Sequence, residues 1–258
     1  MTTTIYKDAV AELAALAGAN AMRHYRTALV AESKQDGSPV TIADRSSERL
    51  ARDWIEERFP ADGILGEEYG VSRPEAKRRW IIDPIDGTKA FVRGIPFWGT
   101  LVAVMEGETV IAGATEFPAL GESLVAAPGE GCWWNGSRCS VSNVKDLSAA
   151  TVLTTDAAFS GHPAKLEGWQ ALAAESGTSR TWGDCVGYLL VATGRAEVMV
   201  DPVVSAWDIA ALIPAIVEAG GVFTDWEGRE GCGTSGIATN AILADVAREI
   251  LNPAREAQ

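Results

Sequence analysis

Histidine is nearly missing from this chain of 258 residues, which has only His24 and His162. No H-E-x-x-H zinc helix and no histidine-based nucleophile triad can be assembled from them. The four cysteines, Cys132, Cys139, Cys185 and Cys232, contain no C-x-x-C pair. Reduced thiols in a cytosolic protein are expected, in preference to a disulfide framework or a soft-metal site. Cationic side chains are also few: 22 Lys and Arg face 35 Asp and Glu, a net charge of −13. That balance argues against nucleic acid or an anionic membrane surface as the main partner. No apolar run approaches the ~18 residues of a membrane span, and Met1 to Asp8 show no charged region followed by an apolar one. The expectation is a soluble, cytoplasmic protein.

Hydrophobic residues make up 47% of the chain, enough for a large core. The length suits one large domain or two intimate subdomains. Ile5, Ala9, Leu13, Leu16, Ala17 and Ala21 repeat with helical rhythm over 4–28. Lys34 to Pro39 interrupts as a loop or hairpin, and Thr41-x-x-Asp44 is a capping-box variant opening a second helix. Leu50, Ala51, Trp54 and Ile55 form the inner stripe of that helix. Short strands are expected at 64–66 and 80–83. The charged stretch 71–79 between them reads as a solvated flap over the acidic residues.

Strands at 98–105 and 109–117 should pair, followed by strands at 122–126 and 131–134 and a turn at Asn135-Gly136. Beyond about 145 strands and helices alternate: 150–155, 163–175, 179–182, 184–193, 196–201, 206–219 and 221–226. Pro214 should kink the 206–219 helix unless that helix begins later. This alternation suggests a second, α/β layer. Two subdomains sharing a cleft are expected, 1–144 and 145–258.

The chemistry concentrates in Trp80-Ile-Ile-Asp83-Pro84-Ile85-Asp86-Gly87-Thr88, with Gly66-Glu67-Glu68 shortly before it. An apolar strand ends at one carboxylate, turns through proline and presents a second carboxylate three residues on. Hard oxygen ligands beside free backbone N–H groups suit Mg²⁺ and a phosphate together. Gly87 permits close backbone approach, and the Thr88 hydroxyl could orient an attacking water. Asp208, in Trp207-Asp-Ile-Ala210, offers a further carboxylate. In an extended segment Glu67 and Glu68 point opposite ways, so one is a ligand and the other meets solvent or the flap. Each residue also has a plainer reading: Asp83 as a strand end, Asp86 as a turn, Asp44 and Asp208 as helix caps. Trp98 and Trp182 are candidates for rings lining the cleft.

Together these residues resemble the inositol monophosphatase superfamily of Mg²⁺-dependent phosphatases. The resemblance spans Pro39-Val-Thr-x-Ala-Asp44, Gly66-Glu67-Glu68, Asp83-Pro-Ile-Asp-Gly-Thr88, Trp207-Asp-Ile-Ala210 and Glu218-Ala-Gly-Gly221. It implies a layered α/β fold, an αβαβα sandwich, assembled as a homodimer. Carried over by motif, Glu67, Asp83 and the Ile85 carbonyl would bind a first Mg²⁺. Asp83 would bridge to a second held by Asp86 and Asp208, with a third, weaker ion near Glu67. Thr88 and Asp44 would polarise the nucleophilic water, and Gly87 and Thr88 would hold the phosphate. The implied reaction is in-line attack by that water, clamped by cations roughly 3.5–4 Å apart.

Within the family, Asp86 to Pro96 and Gly183-Asp184-Cys-Val-Gly-Tyr188 look most similar to histidinol-phosphate phosphatases. That substrate, L-histidinol phosphate, carries an ammonium and an imidazole, which favour carboxylates and aromatic faces. Asp184 and Asp201 could supply the carboxylates. Plainer readings are a helix cap for Asp184 and a strand end before Pro202 for Asp201, where many relatives have Glu-Pro. Competing functions are an inositol or broad sugar-phosphate phosphatase, a 3′-phosphoadenosine nucleotidase, and a non-catalytic metal- or polyanion-binding descendant.

Overall fold

The computed structural model describes residues 2–34 and 39–252. Helix α1 runs Thr2–Met22, shorter than the periodicity predicted. Its end dissolves into i→i+3 turns, and Tyr25 folds back onto Phe91 and Trp98. Strands β1 (Glu32–Ser33) and β2 (Pro39–Val40) pair antiparallel, while the expected turn at 35–38 lies outside the described residues. Helix α2 (Ile42–Arg58) opens on a complete capping box: the Thr41 hydroxyl accepts from the Ala43 amide at 3.0 Å, and Asp44 accepts from the Thr41 amide at 2.7 Å. Its buried face carries Ala51 and Ile55 as expected, but also Asp44, Ser47 and Glu48, while Leu50 is only half-buried. The expected apolar stripe shares this face with polar side chains, of which Asp44 finds partners in the capping box and Glu48 at the Glu68 amide.

Next come β3 (Gly63–Gly66), β4 (Gly70–Ser72), β5 (Arg78–Asp86), α3 (Thr88–Phe91), β6 (Gly99–Glu106) and β7 (Thr109–Phe117). Strands β8 (Glu122–Ala127), β9 (Gly131–Trp134) and β10 (Ser137–Arg138) follow. All belong to one eight-stranded sheet, ordered β10-β9-β8-β7-β6-β5-β3-β4. Its pairs are antiparallel except β3 with β5. The charged stretch 71–79 is not a flap. It forms β4, a turn and the start of β5, and its register against β3 carries it away from Glu67. Arg73 binds the Asp62 carbonyl and Arg78 pairs with Glu106, so these charges secure the sheet.

The remaining chain supplies β11 (Thr151–Thr154), α4 (Pro163–Glu175), β12 (Thr178–Arg180), α5 (Asp184–Ala192) and β13 (Val198–Asp201). After them come α6 (Ala206–Ile209), α7 (Leu212–Glu218), β14 (Gly221–Thr224), β15 (Gly236–Asn240) and α8 (Ala244–Leu251). The second sheet is ordered β12-β11-β13-β15-β14. Of the two expectations over 206–219, a kink at Pro214 or a later start, the later start is the closer: the chain breaks between α6 and α7. Pro214 then stands in the first turn of α7, where a missing amide leaves no helical bond unmade. Strand β15 and helix α8 were not anticipated.

Period-two alternation on β5 sorts its side chains between layers. Trp80 and Ile82 pack outward with Val10 and Leu13 of α1. Ile81 faces inward, sharing a core with Leu189, Ile209, Leu212 and Ile216 of the middle helices and with Leu153 and Met199 of the second sheet. Beyond that sheet, Trp169 and Leu172 of α4 and Ala247 and Leu251 of α8 cover Val152, Val198 and Val200. The result is a five-layer αβαβα sandwich. No helix among the described residues is long and apolar enough to cross a membrane.

Candidate active site

Residues an odd number apart on a straight strand face opposite sides of a sheet. Asp83 lies on the inward side with Ile81, so Asp86 would point away. The β5–β6 register slips between them, from Asp83↔Leu101 to Asp86↔Gly99, three residues against two. This β-bulge turns Asp86 back to the side of Asp83. Pro84 has no amide to lose there, and its carbonyl accepts from the Thr100 hydroxyl at 2.7 Å. Helix α6 approaches the same side and completes the group: one oxygen each from Asp83, Asp86 and Asp208 lie within 4.8 Å of one another.

Each member has a backbone partner. The Ile85 amide donates to Asp83 Oδ1 at 2.9 Å, the Cys185 amide to Asp86 Oδ2 at 2.5 Å, and the Ser205 amide to Asp208 Oδ2 at 2.6 Å. Those bonds do not offset the crowding. Burial, then neighbouring carboxylates, push Asp83 and Asp86 well above the usual range. Burial pushes Asp208 up to about 6 against the Ser205 amide, with the Glu67 charge adding to the rise. No side-chain cation among the described residues forms a salt bridge with the three. Clustered hard oxygens with unbalanced negative charge fit a divalent cation.

Glu67 follows β3, its amide bound to the Ile82 carbonyl at 3.2 Å and its charge acting on Asp83. Lys34 holds both upstream carboxylates, at 2.7 Å to Glu67 and 2.5 Å to Glu68. The expectation that one of this pair meets solvent or a flap is therefore corrected: the Glu68 side chain is 5% exposed, less than Glu67 at 19%. Burial pushes Glu68 up to about 7 despite its bond to Lys34. Burial pulls Lys34 down, but the two carboxylates outweigh it and hold it above its ordinary value. Lys34 escaped the sequence reading because a lone lysine in a loop carries no local signal of its partners 33 and 34 residues away.

Gly87 has φ +88°, and a Cβ there would lie 2.6 Å from the Phe97 carbonyl oxygen, so only glycine makes this turn. The next residue, Thr88, donates to the Ile85 carbonyl at 2.9 Å and also stands 3.3 Å from Asp44 Oδ1. Asp44 uses its other oxygen to accept from the Thr41 amide and hydroxyl, so capping and alignment with Thr88 coexist. Burial raises the Asp44 carboxyl, opposed by those Thr41 bonds.

A cleft of about 670 Å³ opens beside this group, lined among others by Glu67, Gly87, Thr88, Lys89, Asp156 and Asp184. Asp184 opens α5 in the left-handed region at φ +49°, its amide bound to the Thr155 hydroxyl at 2.8 Å. Burial pushes its carboxyl up to about 6, with Lys89 pulling the other way. Asp201 is buried beneath the cleft wall. It accepts from the Tyr188 hydroxyl at 3.0 Å and the Thr155 amide at 3.2 Å, and burial pushes it up to about 6. The tryptophans take other places as well. Trp98 is fully buried against Phe91 and Tyr25, and Trp182 is 39% exposed beside Arg180, while Phe97 and Ile95 line the cleft. The ring positions were misjudged because aromatic spacing does not tell core from rim.

Comparison with known proteins gives this geometry a family. The profile of the inositol monophosphatase family matches residues 3–257. A histidinol-phosphatase of Chlorobaculum parvum is 44% identical over 220 residues, 85% of each chain. A histidinol-phosphatase of Mycobacterium tuberculosis is 39% identical over 86% of this chain and 87% of its own. Among solved structures, the Thermotoga maritima IMPase superposes with a TM-score of 0.84 at 30% identity, covering 93% of this chain and 94% of that one. The chain belongs to the inositol monophosphatase family and is a phosphatase.

Proposed function

We propose that this protein is a Mg²⁺-dependent phosphomonoesterase that hydrolyses L-histidinol phosphate to L-histidinol and phosphate. Glu67, Asp83, Asp86 and Asp208, with the Ile85 carbonyl, hold two to three Mg²⁺ ions. The observation that carries this reading is the bulge-assembled group of three carboxylate oxygens within 4.8 Å. When bound, paired cations stabilise the charge developing on the entering and leaving oxygens of an in-line displacement. Thr88, aligned by Asp44 and the Ile85 carbonyl, orients the attacking water, and Glu67 lies on the same side of the cleft. Gly87 and Thr88 present the backbone turn that receives the phosphate.

The choice of substrate is supported by the histidinol-phosphatase relatives and by the carboxylates on the cleft wall. Asp184 meets the cationic end of the substrate. Asp201, buried behind Thr155, supports the substrate wall through the Thr155 amide and the Tyr188 hydroxyl. A second reading, an inositol or sugar phosphatase, is favoured by the Thermotoga IMPase likeness and by the hydroxyl-bearing Thr155 and Thr181 in the cleft. We further propose a cytoplasmic homodimer with subdomains 1–144, carrying most metal ligands, and 145–258, carrying Asp208 and the specificity residues. Light scattering on the purified protein tests the dimer.

Phosphate release with Mg²⁺ from L-histidinol phosphate and myo-inositol 1-phosphate, compared by kcat/KM, tests the substrate. A preference of about a hundredfold, ~2.7 kcal/mol in the transition state, supports histidinol phosphate. Equal values favour the second reading, and inactivity on both rejects both substrates.

A further inference from the structure

We infer that Glu48 is a positioning residue for metal binding: from α2 it grips the turn that carries Glu67. The inference rests on the proposed carboxylate site and adds a residue to its support.

Glu48 is 0% exposed, and a buried carboxylate is tolerated only where its charge and lone pairs are met. Here they are met by the β3–β4 turn. The Glu68 amide donates to Glu48 Oε2 at 2.6 Å and the Tyr69 amide to Oε1 at 3.1 Å. Arg52, one helical turn on, donates to Oε1 at 2.8 Å and also binds the Gly70 carbonyl. Gly66 permits this approach, since a Cβ on it would stand 2.0 Å from Glu48 Oε1. The turn is thus held at Glu68, Tyr69 and Gly70 by two side chains of α2, with Gly66 close against Glu48. Glu67, the remaining residue, leaves its side chain on the site, where it meets Lys34 and acts on Asp83.

Asp44 and Glu48 are four residues apart and share one face of α2. That face sets Asp44 against Thr88 and Glu48 against the turn of Glu67. One rigid helix therefore holds the water-orienting pair in register with a metal ligand. Partners behind metal ligands typically contribute ~10–100-fold in metal affinity.

The test is calorimetric titration of Mg²⁺ into the parent protein, Glu48→Gln and Asp83→Asn, with melting temperatures alongside. Glutamine keeps the shape but turns an acceptor into a donor facing an amide and removes the charge opposite Arg52. Glu48→Gln should weaken Mg²⁺ by ~10-fold or more, and the Mg²⁺ needed for half-maximal activity should rise by the same factor. Parent-like Mg²⁺ affinity in Glu48→Gln overturns the inference, whatever its melting temperature, because a merely structural role would lower stability alone. Should Glu48→Gln not fold, Arg52→Met decides: weakened Mg²⁺ binding supports the role, and a parent-like value overturns it. If the parent binds no Mg²⁺, or Asp83→Asn binds it equally well, the carboxylate site itself is wrong.

Discussion

The backbone amide of Cys185 donates to Asp86 Oδ2 at 2.5 Å, across 99 residues of sequence. It belongs to the first turn of α5, where amides lack helical partners and the helix dipole favours an anion. The end of β5 is thereby tied to the helix that opens with Asp184. The bond couples the carboxylate group proposed to hold metal to the cleft wall that carries Asp184.

Asp83 is central to the carboxylate group, and Asp83→Asn keeps its shape and its acceptor for the Ile85 amide. Turnover should fall ~100-fold or more, since several kcal/mol of cation-borne stabilisation depend on that charge. The same change relieves repulsion, so the metal-free variant should melt above the metal-free parent and gain nothing from Mg²⁺. Near-parental activity at saturating Mg²⁺ would remove Asp83 from the site.

Thr88→Ala deletes the hydroxyl that stands between the Ile85 carbonyl and Asp44. We expect kcat to drop by ~10²-fold or more, as for loss of a group that positions a reacting proton. Thr88→Ser, which keeps the hydroxyl, should retain most activity. Similar kcat values for the two variants would reduce Thr88 to a helix-opening residue.

Asp184→Asn is well suited to the left-handed backbone at this position, which asparagine tolerates. Its KM for L-histidinol phosphate should rise ~10-fold or more, as one charge-assisted bond is lost. KM for β-glycerophosphate should barely move. Equal effects on both substrates would make Asp184 structural.

The pH dependence of stability follows from the raised carboxyls. Asp201 and Asp208 are each pushed up to about 6 by burial. The folded chain then binds these protons more tightly than the unfolded chain, whose carboxyls titrate near ~4. This contribution is complete below ~4 and is lost as pH rises through about 6. Mg²⁺ requires the deprotonated ligands and opposes that loss. The rise in melting temperature on adding Mg²⁺ should therefore be larger at about pH 7.5 than at about pH 5. An equal rise at both values would contradict the linkage.

Helix α4, the β6–β7 hairpin and the strands β8 and β9 were legible from pattern alone, because period, turn residues and breakers are local signals. The break between α6 and α7 was half-legible: Pro214 signalled a kink or a later start, but not that a separate short helix would precede it. Charge pattern misled at 71–79, since a strand edge secured by Arg73 and Arg78 reads like a polar flap. Glu48 resembled any solvent-facing acid on a helix until the turn it binds was folded beside it.

The candidate residues were legible in the chain itself, because hard-ligand carboxylates, a glycine turn and a hydroxyl must occur as those residue types wherever they end up. How they act together was settled only by folding. A bulge one residue long puts Asp86 on the side of Asp83, α6 closes the third carboxylate onto them, and Lys34 arrives from a distant loop to bind Glu67 and Glu68. Sequence carries residue identity and local period, whereas the balance of buried charge depends on distances of a few ångströms between segments far apart in the chain.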